Sequence, residues 1–314
     1  MKVLVTGAEG FVGAHLMRRL AADGHDVIPT ALEGGDGIDL DAGDWIGLDV
    51  LDGEKTRAVV ASVEPDIVFH MAGFSSGANA RANAARALRV NAEGTLNVLE
   101  AVFAAKSSAR VVVPSSADVY GDPGPDPAGE DAPVAPRSVY GVSKAAQELV
   151  ALALADVHGL DVRAARLFPL VGPGQRDDFV VPAFCRQATA IAEGRAEPVM
   201  RVGNLDVERD IMDVRDGVDG LVALAGLDAP DRRTYNVCSG RGVTVRELLG
   251  WILAEAGIDP KIMVDPERVR AADPQRIVGS PERLWAEAGW RSKRDVREGV
   301  RDTYRWVGRS DALH

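Results

Sequence analysis

Tyr140 and Lys144 stand four residues apart in Tyr140-Gly141-Val142-Ser143-Lys144, and Ser116 lies upstream, just past the apolar run Arg110–Ser115. Four residues is about one helical turn, so on a helix the phenol and the ammonium share a face. A free phenol titrates near a pKa of about 10. A lysine ammonium one turn away favours the phenolate, so the hydroxyl can exchange a proton with an alcohol or a ketone. A serine hydroxyl at a neighbouring strand end can hold the same substrate oxygen. Those are the parts of a hydride-transfer site. Asp118, two residues past Ser116, is either a further base or a carboxylate that forms the turn heading the Pro-rich stretch Asp122 to Pro136.

The elements that must position these groups are legible as patterns. Ser138–His158 reads as a helix, with Ala145, Ala146, Leu149, Val150, Leu152 and Ala153 giving it an apolar face. Strand-like runs at Lys2–Thr6, Asp26–Thr30, Asp66–Ala72, Arg110–Ser115 and Asp161–Phe168 alternate with helical patterns at Phe11–Ala22, Glu54–Val63, Ala80–Ala105 and Ser138–His158. Continuous apolar strands between helices predict an α/β fold, a Rossmann-like doubly wound parallel sheet covered on both faces. Gly7, Gly10 and Gly13 follow the first strand and open the first helix in a Gly-x-x-Gly-x-x-Gly spacing. There they allow a tight turn and let a pyrophosphate approach the helix N-terminus, beside Phe11 and Val12.

Past Phe168 the alternation changes. A loop over residues 172–178 precedes a helical pattern near Val180–Glu193. Strand-like runs follow at Pro198–Val202, Glu208–Val214, Thr234–Cys238 and Lys261–Val264, with helical patterns near Arg215–Gly226, Thr244–Ala256 and Asp295–Val307. We expect residues 1–168, with a return of the chain near 208–240, to form the dinucleotide-binding domain. Residues 169–207 and 241–314 form a smaller interleaved lobe for substrate.

The bulk composition excludes several classes. At 314 residues and 46% hydrophobic the chain can bury a large core. A net charge of −11 argues against a nucleic-acid-binding surface. Two cysteines, Cys185 and Cys238, imply neither a disulfide framework nor a metal site. There is no secretory signal pattern and no apolar run of membrane-spanning length, so a cytoplasmic protein without membrane association is expected.

Taken together, these motifs resemble the extended short-chain dehydrogenases/reductases that act on nucleotide sugars. The pattern is matched by the glycine loop, Asp49, His70-Met71-Ala72-Gly73, Asn91, Ser115–Gly121 and the Tyr140/Lys144 pair. Val171–Gln175, Val202–Asp206 with Arg209-Asp210, and Tyr235–Gly240 are similar to the GDP-sugar branch, which holds GDP-mannose 4,6-dehydratases and GDP-4-keto-6-deoxymannose reductases. The resemblance implies NAD or NADP held by Gly7, Gly10, Phe11, Val12, Gly13, Thr30, Asp49, Val50, Met71, Ala72, Gly73 and Asn91, with Tyr140 and Lys144 at its nicotinamide end. It implies a nucleotide sugar, GDP-linked, against Ser75, Ser116, Val180, Asn204, Arg209, Arg270 and Asp273, and a homodimer joined through the helices at Ala80–Ala105 and Ser138–His158.

Three departures bear on function. The second strand ends Pro29-Thr30-Ala31-Leu32, without the acid that captures an NAD ribose or the arginine that holds a 2′-phosphate, so weak discrimination between the two cofactors is expected, with Thr30 near the ribose. Pro169 stands where the family has an asparagine, and it has no amide proton to offer. Asp118 stands where the dehydratases carry glutamate, one methylene longer. The expectation is a reductase of a GDP-4-keto-6-deoxyhexose acting at C4, with catalysis by Ser116, Tyr140 and Lys144. A 4,6-dehydratase or epimerase that retains its cofactor, with Asp118 as base, is the enzymatic alternative, and a dinucleotide-sensing binding protein is the non-enzymatic one.

Overall fold

The computed structural model describes residues 1–32, 45–75, 77–228, 232–269 and 274–311. Strands β1 (Lys2–Thr6), β2 (Asp26–Ala31), β3 (Ile46–Gly47), β4 (Ile67–His70), β5 (Arg110–Ser116) and β6 (Val162–Leu167) alternate with helices α1 (Phe11–Ala22), α2 (Gly53–Val63), α3 (Gly77–Ala82), α4 (Ala84–Leu88), α5 (Gly94–Ala104) and α6 (Val139–His158). The short strands β7 (Leu170–Val171), β8 (Val199–Val202), β9 (Glu208–Asp210) and β10 (Met212–Asp213) accompany α7 (Val180–Ala192) and α8 (Val214–Ala225). The chain ends with β11 (Thr234–Val237), β12 (Gly242–Thr244), α9 (Val245–Ala256), β13 (Lys261–Val264), β14 (Arg276–Ile277), α10 (Glu282–Ala288) and α11 (Val296–Asp311).

Seven strands form one sheet in the order β11-β6-β5-β4-β1-β2-β3, and every pairing is parallel. The order reverses between β1 and β4, which opens the ligand crevice of a doubly wound sheet at the carboxyl ends of those strands. The glycine loop leaves β1 there, and Met71–Gly73 leave β4 beside it. Alternate strand residues face opposite layers. Val3 and Val5 pack with Leu16 and Leu20 of α1 and Leu221 and Leu224 of α8, whereas Leu4 packs with Val59 of α2, Leu99 of α5 and Ala151 of α6. A separate core under the second lobe joins Phe184 and Cys185 of α7, Leu248 and Ile252 of α9, and Val300 and Val307 of α11.

Local chemistry sets the boundaries of the site helix. The Ser138 hydroxyl accepts from the Gly141 amide at 2.9 Å, capping the start of α6. Gly159 ends it in the left-handed region at φ +67°.

Two predicted elements are interrupted. The single helix expected over Ala80–Ala105 is α3, α4, a π-helical turn at Arg89–Glu93, and α5. The turn widens at Asn91, whose side chain is committed to other elements. The strand expected over Glu208–Val214 is split into β9 and β10, which pair in different sheets. It stops at Asp213 because that carboxylate accepts from the Arg215 amide at 2.8 Å and starts α8. The strands β7, β12 and β14 and the helix α10 were too short to leave a periodic signal.

Candidate active site

Ser116 ends β5 and caps a 3₁₀ turn over Ala117–Tyr120, where its hydroxyl accepts from the Asp118 amide at 3.2 Å. The same hydroxyl hydrogen-bonds the Tyr140 phenol, and the Asp118 charge also bears on that phenol. The 3₁₀ turn meets the start of α6 closely because position 141 is glycine. A Cβ there would lie 2.6 Å from the Asp118 carbonyl oxygen. Burial and the Asp118 charge push the Tyr140 pKa well above its ordinary value, with the Ser116 hydrogen bond opposing them. Tyr140 is therefore a neutral phenol through the physiological range.

Lys144 is buried. Its Nζ donates to the Pro114 carbonyl at 2.9 Å and to Gln147 Oε1 at 2.7 Å. Burial lowers its pKa to about 7. The sequence reading had Lys144 lowering the Tyr140 pKa. In the structure two of the ammonium's three donors go to Pro114 and Gln147, and the phenol is shifted upward.

Behind the pair runs a chain of buried polar groups. Gln147 Nε2 donates to Thr95 Oγ1 at 2.9 Å, and Thr95 donates to the Asn91 carbonyl at 2.7 Å. Asn91 Nδ2 donates to Ser143 Oγ at 2.8 Å, and Ser143 donates to the Tyr140 carbonyl at 2.8 Å. Asn91 Oδ1 accepts from the Phe74 amide at 2.9 Å, which fixes the loop after β4. Gly73 lies against the same oxygen: a Cβ there would stand 2.7 Å from it. Sequence reasoning missed Gln147 and Thr95. The available signal was Gln147 three residues past Lys144, on the Lys144 side of the helix.

The crevice at the switch point fits a dinucleotide. Gly7 has φ +62°, and a Cβ on it would lie 2.6 Å from Ala72 Cα. One on Gly13 would lie 2.5 Å from the Gly7 carbonyl oxygen, so only glycines let this turn close. Gly10 caps α1 without a side-chain hydrogen bond, leaving the first amides of the helix, at Phe11 and Val12, for an anion. Thr6 ties the two sides together, with its hydroxyl 2.8 Å from His70 Nδ1 and accepting from the Ala72 amide at 3.2 Å. His70 is buried and its pKa is lowered to about 3 by burial and by Lys144. It is a neutral wall of the pocket.

The remaining predicted residues are more dispersed. Met71 and Ala72 are half-buried after β4, and Thr30 is buried at the end of β2. Asp49 accepts from the Leu51 amide at 3.0 Å as a turn-former after β3. Val50 packs under Gly94, where a Cβ would meet its Cγ2 at 2.7 Å. Ser75 is exposed, and Val180 is exposed at the start of α7. Asn204 accepts from the Asp206 amide at 3.0 Å, also a turn-former, and its neighbour Gly203 lies against the Arg268 carbonyl. Arg209 is half-buried on β9 and donates to the Glu208 carbonyl at 2.8 Å. Arg270 and Asp273 lie outside the described residues.

Ser116, Tyr140 and Lys144 beside a glycine-loop crevice on this sheet define an enzyme of the extended short-chain dehydrogenase/reductase type, using NAD or NADP. Within that type the chain belongs to the GDP-mannose 4,6 dehydratase family, whose model matches residues 4–303. It is 35% identical over 305 residues to GDP-6-deoxy-D-mannose reductase of Pseudomonas aeruginosa, covering 96% of this chain and 95% of the relative. Among solved structures it is similar to RMD from Pseudomonas aeruginosa complexed with NADPH, with a TM-score of 0.84, 31% identity and coverage of 98% and 99%. It is also similar to Thermus thermophilus UDP-glucose 4-epimerase in complex with NAD, with a TM-score of 0.85, 29% identity and coverage of 98% and 99%.

Proposed function

We propose that the chain reduces a GDP-linked 4-keto-6-deoxyhexose to the corresponding 4-hydroxy sugar. The observation that carries this reading is the Ser116 hydroxyl hydrogen-bonded to the Tyr140 phenol beside the glycine-loop crevice, which puts a carbonyl-orienting hydroxyl and a proton donor at one point. The nicotinamide supplies the hydride. Ser116 orients the carbonyl oxygen, Tyr140 gives that oxygen its proton, and Lys144 holds the nicotinamide ribose and the charge balance around the phenol. The glycine loop with Asp49, Val50, Met71, Ala72, Gly73 and Asn91 forms the cofactor side. Ser75, Val180, Asn204 and Arg209 are assigned to the sugar-nucleotide side, as are Arg270 and Asp273, which lie outside the described residues; arginine suits the diphosphate or the guanine. Residues 1–168, with the return near 208–240, carry the first role; residues 169–207 and 241–314 carry the second. The likeness to a GDP-6-deoxy-D-mannose reductase supports this substrate class.

A 4,6-dehydratase is the second reading, favoured by one observation: the Asp118 carboxylate is close enough to act electrostatically on the Tyr140 phenol. Dehydration needs a base at the C5 proton. Aspartate is about one C–C bond shorter than glutamate, and a misplacement of roughly 1 Å can cost about a hundredfold. Supplying GDP-4-keto-6-deoxymannose and following loss of the reduced cofactor tests the proposal, and we expect turnover that Asp118→Asn slows only modestly. With GDP-mannose and oxidised cofactor we expect no 4-keto product. Dehydration of GDP-mannose at an ordinary enzymatic rate, stopped by Asp118→Asn, would overturn the reductase assignment.

We propose a homodimer formed through the same helices. Val139, Val142, Leu149 and Val157 form an exposed apolar stripe on α6, beside exposed Leu88 of α4 and Phe103 of α5. Such a stripe is the mark of an interface, and we assign it to a homodimer. No helix among the described residues is long and apolar enough to cross a membrane. Cys185 and Cys238 are buried free thiols, which suits the reducing cytoplasm.

A further inference from the structure

Two buried polar atoms without partners belong to residues at the end of β2 and in the loop bonded to it, and the reaction chemistry uses neither. They are Glu9 Oε2 and Thr30 Oγ1. Backbone and side-chain pairing joins the glycine loop to this strand end. The Ala8 amide donates to the Thr30 carbonyl at 2.9 Å, and the Leu32 amide donates to Glu9 Oε1 at 3.1 Å. The glycine loop is thus fastened to the carboxyl end of β2, with the Glu9 carboxylate pinned onto it. In a doubly wound dinucleotide fold that strand end is where the adenosine ribose lies, and an acid borne by the strand itself takes the 2′-hydroxyl. Here the carboxyl-terminal end of β2, Pro29 to Ala31, and the following Leu32 bear no acid. A carboxylate reaches the same place from the other side of the crevice.

We propose that Glu9 is the ribose-binding acid of this chain and makes it selective for the cofactor without a 2′-phosphate. This rests on the dinucleotide reading of the crevice and goes beyond it, since the bare end of β2 predicts weak discrimination. A buried carboxylate oxygen without a hydrogen bond is costly, and a ribose hydroxyl is a donor that satisfies it. Thr30 Oγ1 can serve the neighbouring hydroxyl. A 2′-phosphate brings about two negative charges to an acceptor-only group, with no proton to share.

The test is calorimetric titration of the whole chain with NADH and with NADPH, without sugar. We expect NADPH to bind at least about tenfold more weakly, a gap that narrows as salt screens the repulsion. Glu9→Gln keeps an oxygen for the Leu32 amide and removes the charge. It should bring the two affinities to within about threefold, chiefly by strengthening NADPH, and leave the melting temperature of the free protein unchanged. Equal affinities in the unsubstituted chain, or an unaltered ratio in Glu9→Gln, overturn the proposal. Binding of neither nucleotide overturns it together with the dinucleotide reading. Selective NADH binding without turnover of any keto sugar leaves it standing and removes the reductase assignment instead.

Discussion

At the scale of the residue, burial sets the resting forms in the site, keeping Tyr140 and His70 neutral and bringing Lys144 close to its own titration at neutral pH. Tyr140→Phe removes only the proton donor, so kcat should fall about a hundredfold or more while nucleotide affinity measured by titration is retained. Gln147 accepts from the Lys144 ammonium at 2.7 Å and so favours the charged lysine. Gln147→Leu should lower the Lys144 pKa further below its value of about 7. The alkaline limb of kcat/KM should then move down by about one pH unit, the worth of one hydrogen bond to a charged group. A purely structural role for Gln147 would lower activity at every pH and leave the limb in place. His70 gives a stability signature. Its pKa is about 3 when folded, against about 6.5 unfolded, so between those values the unfolded chain binds more protons. Stability is then present above pH about 6.5 and is lost as pH falls toward 3. In His70→Gln, the melting temperature should decline less steeply between pH 7 and 5. The Ser116, Tyr140 and Lys144 trio was legible because their spacing is tied to local structure. Gln147, Thr95 and Glu9 were not, because their partners are far along the chain and a lone polar residue reads as solvated.

At the scale of the element, the position of α6 decides the geometry of the site. Beyond Ser138 and Gly141, it is held by Glu148, one turn past Lys144, which pairs with Arg166 of β6 at 2.6 Å while both are buried. Arg166 also donates to Tyr120 Oη at 3.0 Å and to the Glu130 carbonyl at 2.9 Å. Glu148→Ala strands a buried guanidinium, and denaturant titration should register a loss of about 3–5 kcal/mol. The π-helical turn at Asn91 serves the other flank. A single α-helix would rotate Asn91 away from Phe74 and Ser143, and π turns are often found where a side chain must be re-aimed at a functional site. Asn91→Ala should cost about 1–3 kcal/mol for the Phe74 amide left unpaired. It should also raise the KM for cofactor, because the Gly73 loop loses its anchor. The periodicity over Ala80–Ala105 gave no hint of this break, since one extra residue in a turn hardly alters the apolar pattern. The long strands were legible because they are buried on both faces, whereas β9 and β10 are separated by the single residue Ile211, where the chain passes from one small sheet to another.

At the scale of the whole molecule, the exposed stripe on α6 is the surface through which the proposed homodimer would form. Sedimentation should report a dimer, and Leu149→Glu, at a side chain 63% exposed in the single chain, should yield monomers with an unchanged fold by circular dichroism. The parallel sheet and its switch point were legible from the alternation of elements, but the strand that completes the sheet edge was not assigned a neighbour. That strand, β11, pairs with β6 across a long excursion of the chain, register Thr234 to Ala164 through Val237 to Leu167. Asn236 then accepts from Tyr120 Oη at 2.6 Å and donates to the Ala128 carbonyl at 2.8 Å, closing the Arg166 network. A ribosome delivers β6 well before β11. The nascent chain therefore presents an apolar edge strand, with a guanidinium not yet fully enclosed, until residues 234–237 have emerged. Such an edge is a template for wrong pairing. A strand order that leaves one side of β6 for β11 thus lengthens the interval in which the growing chain can mispair.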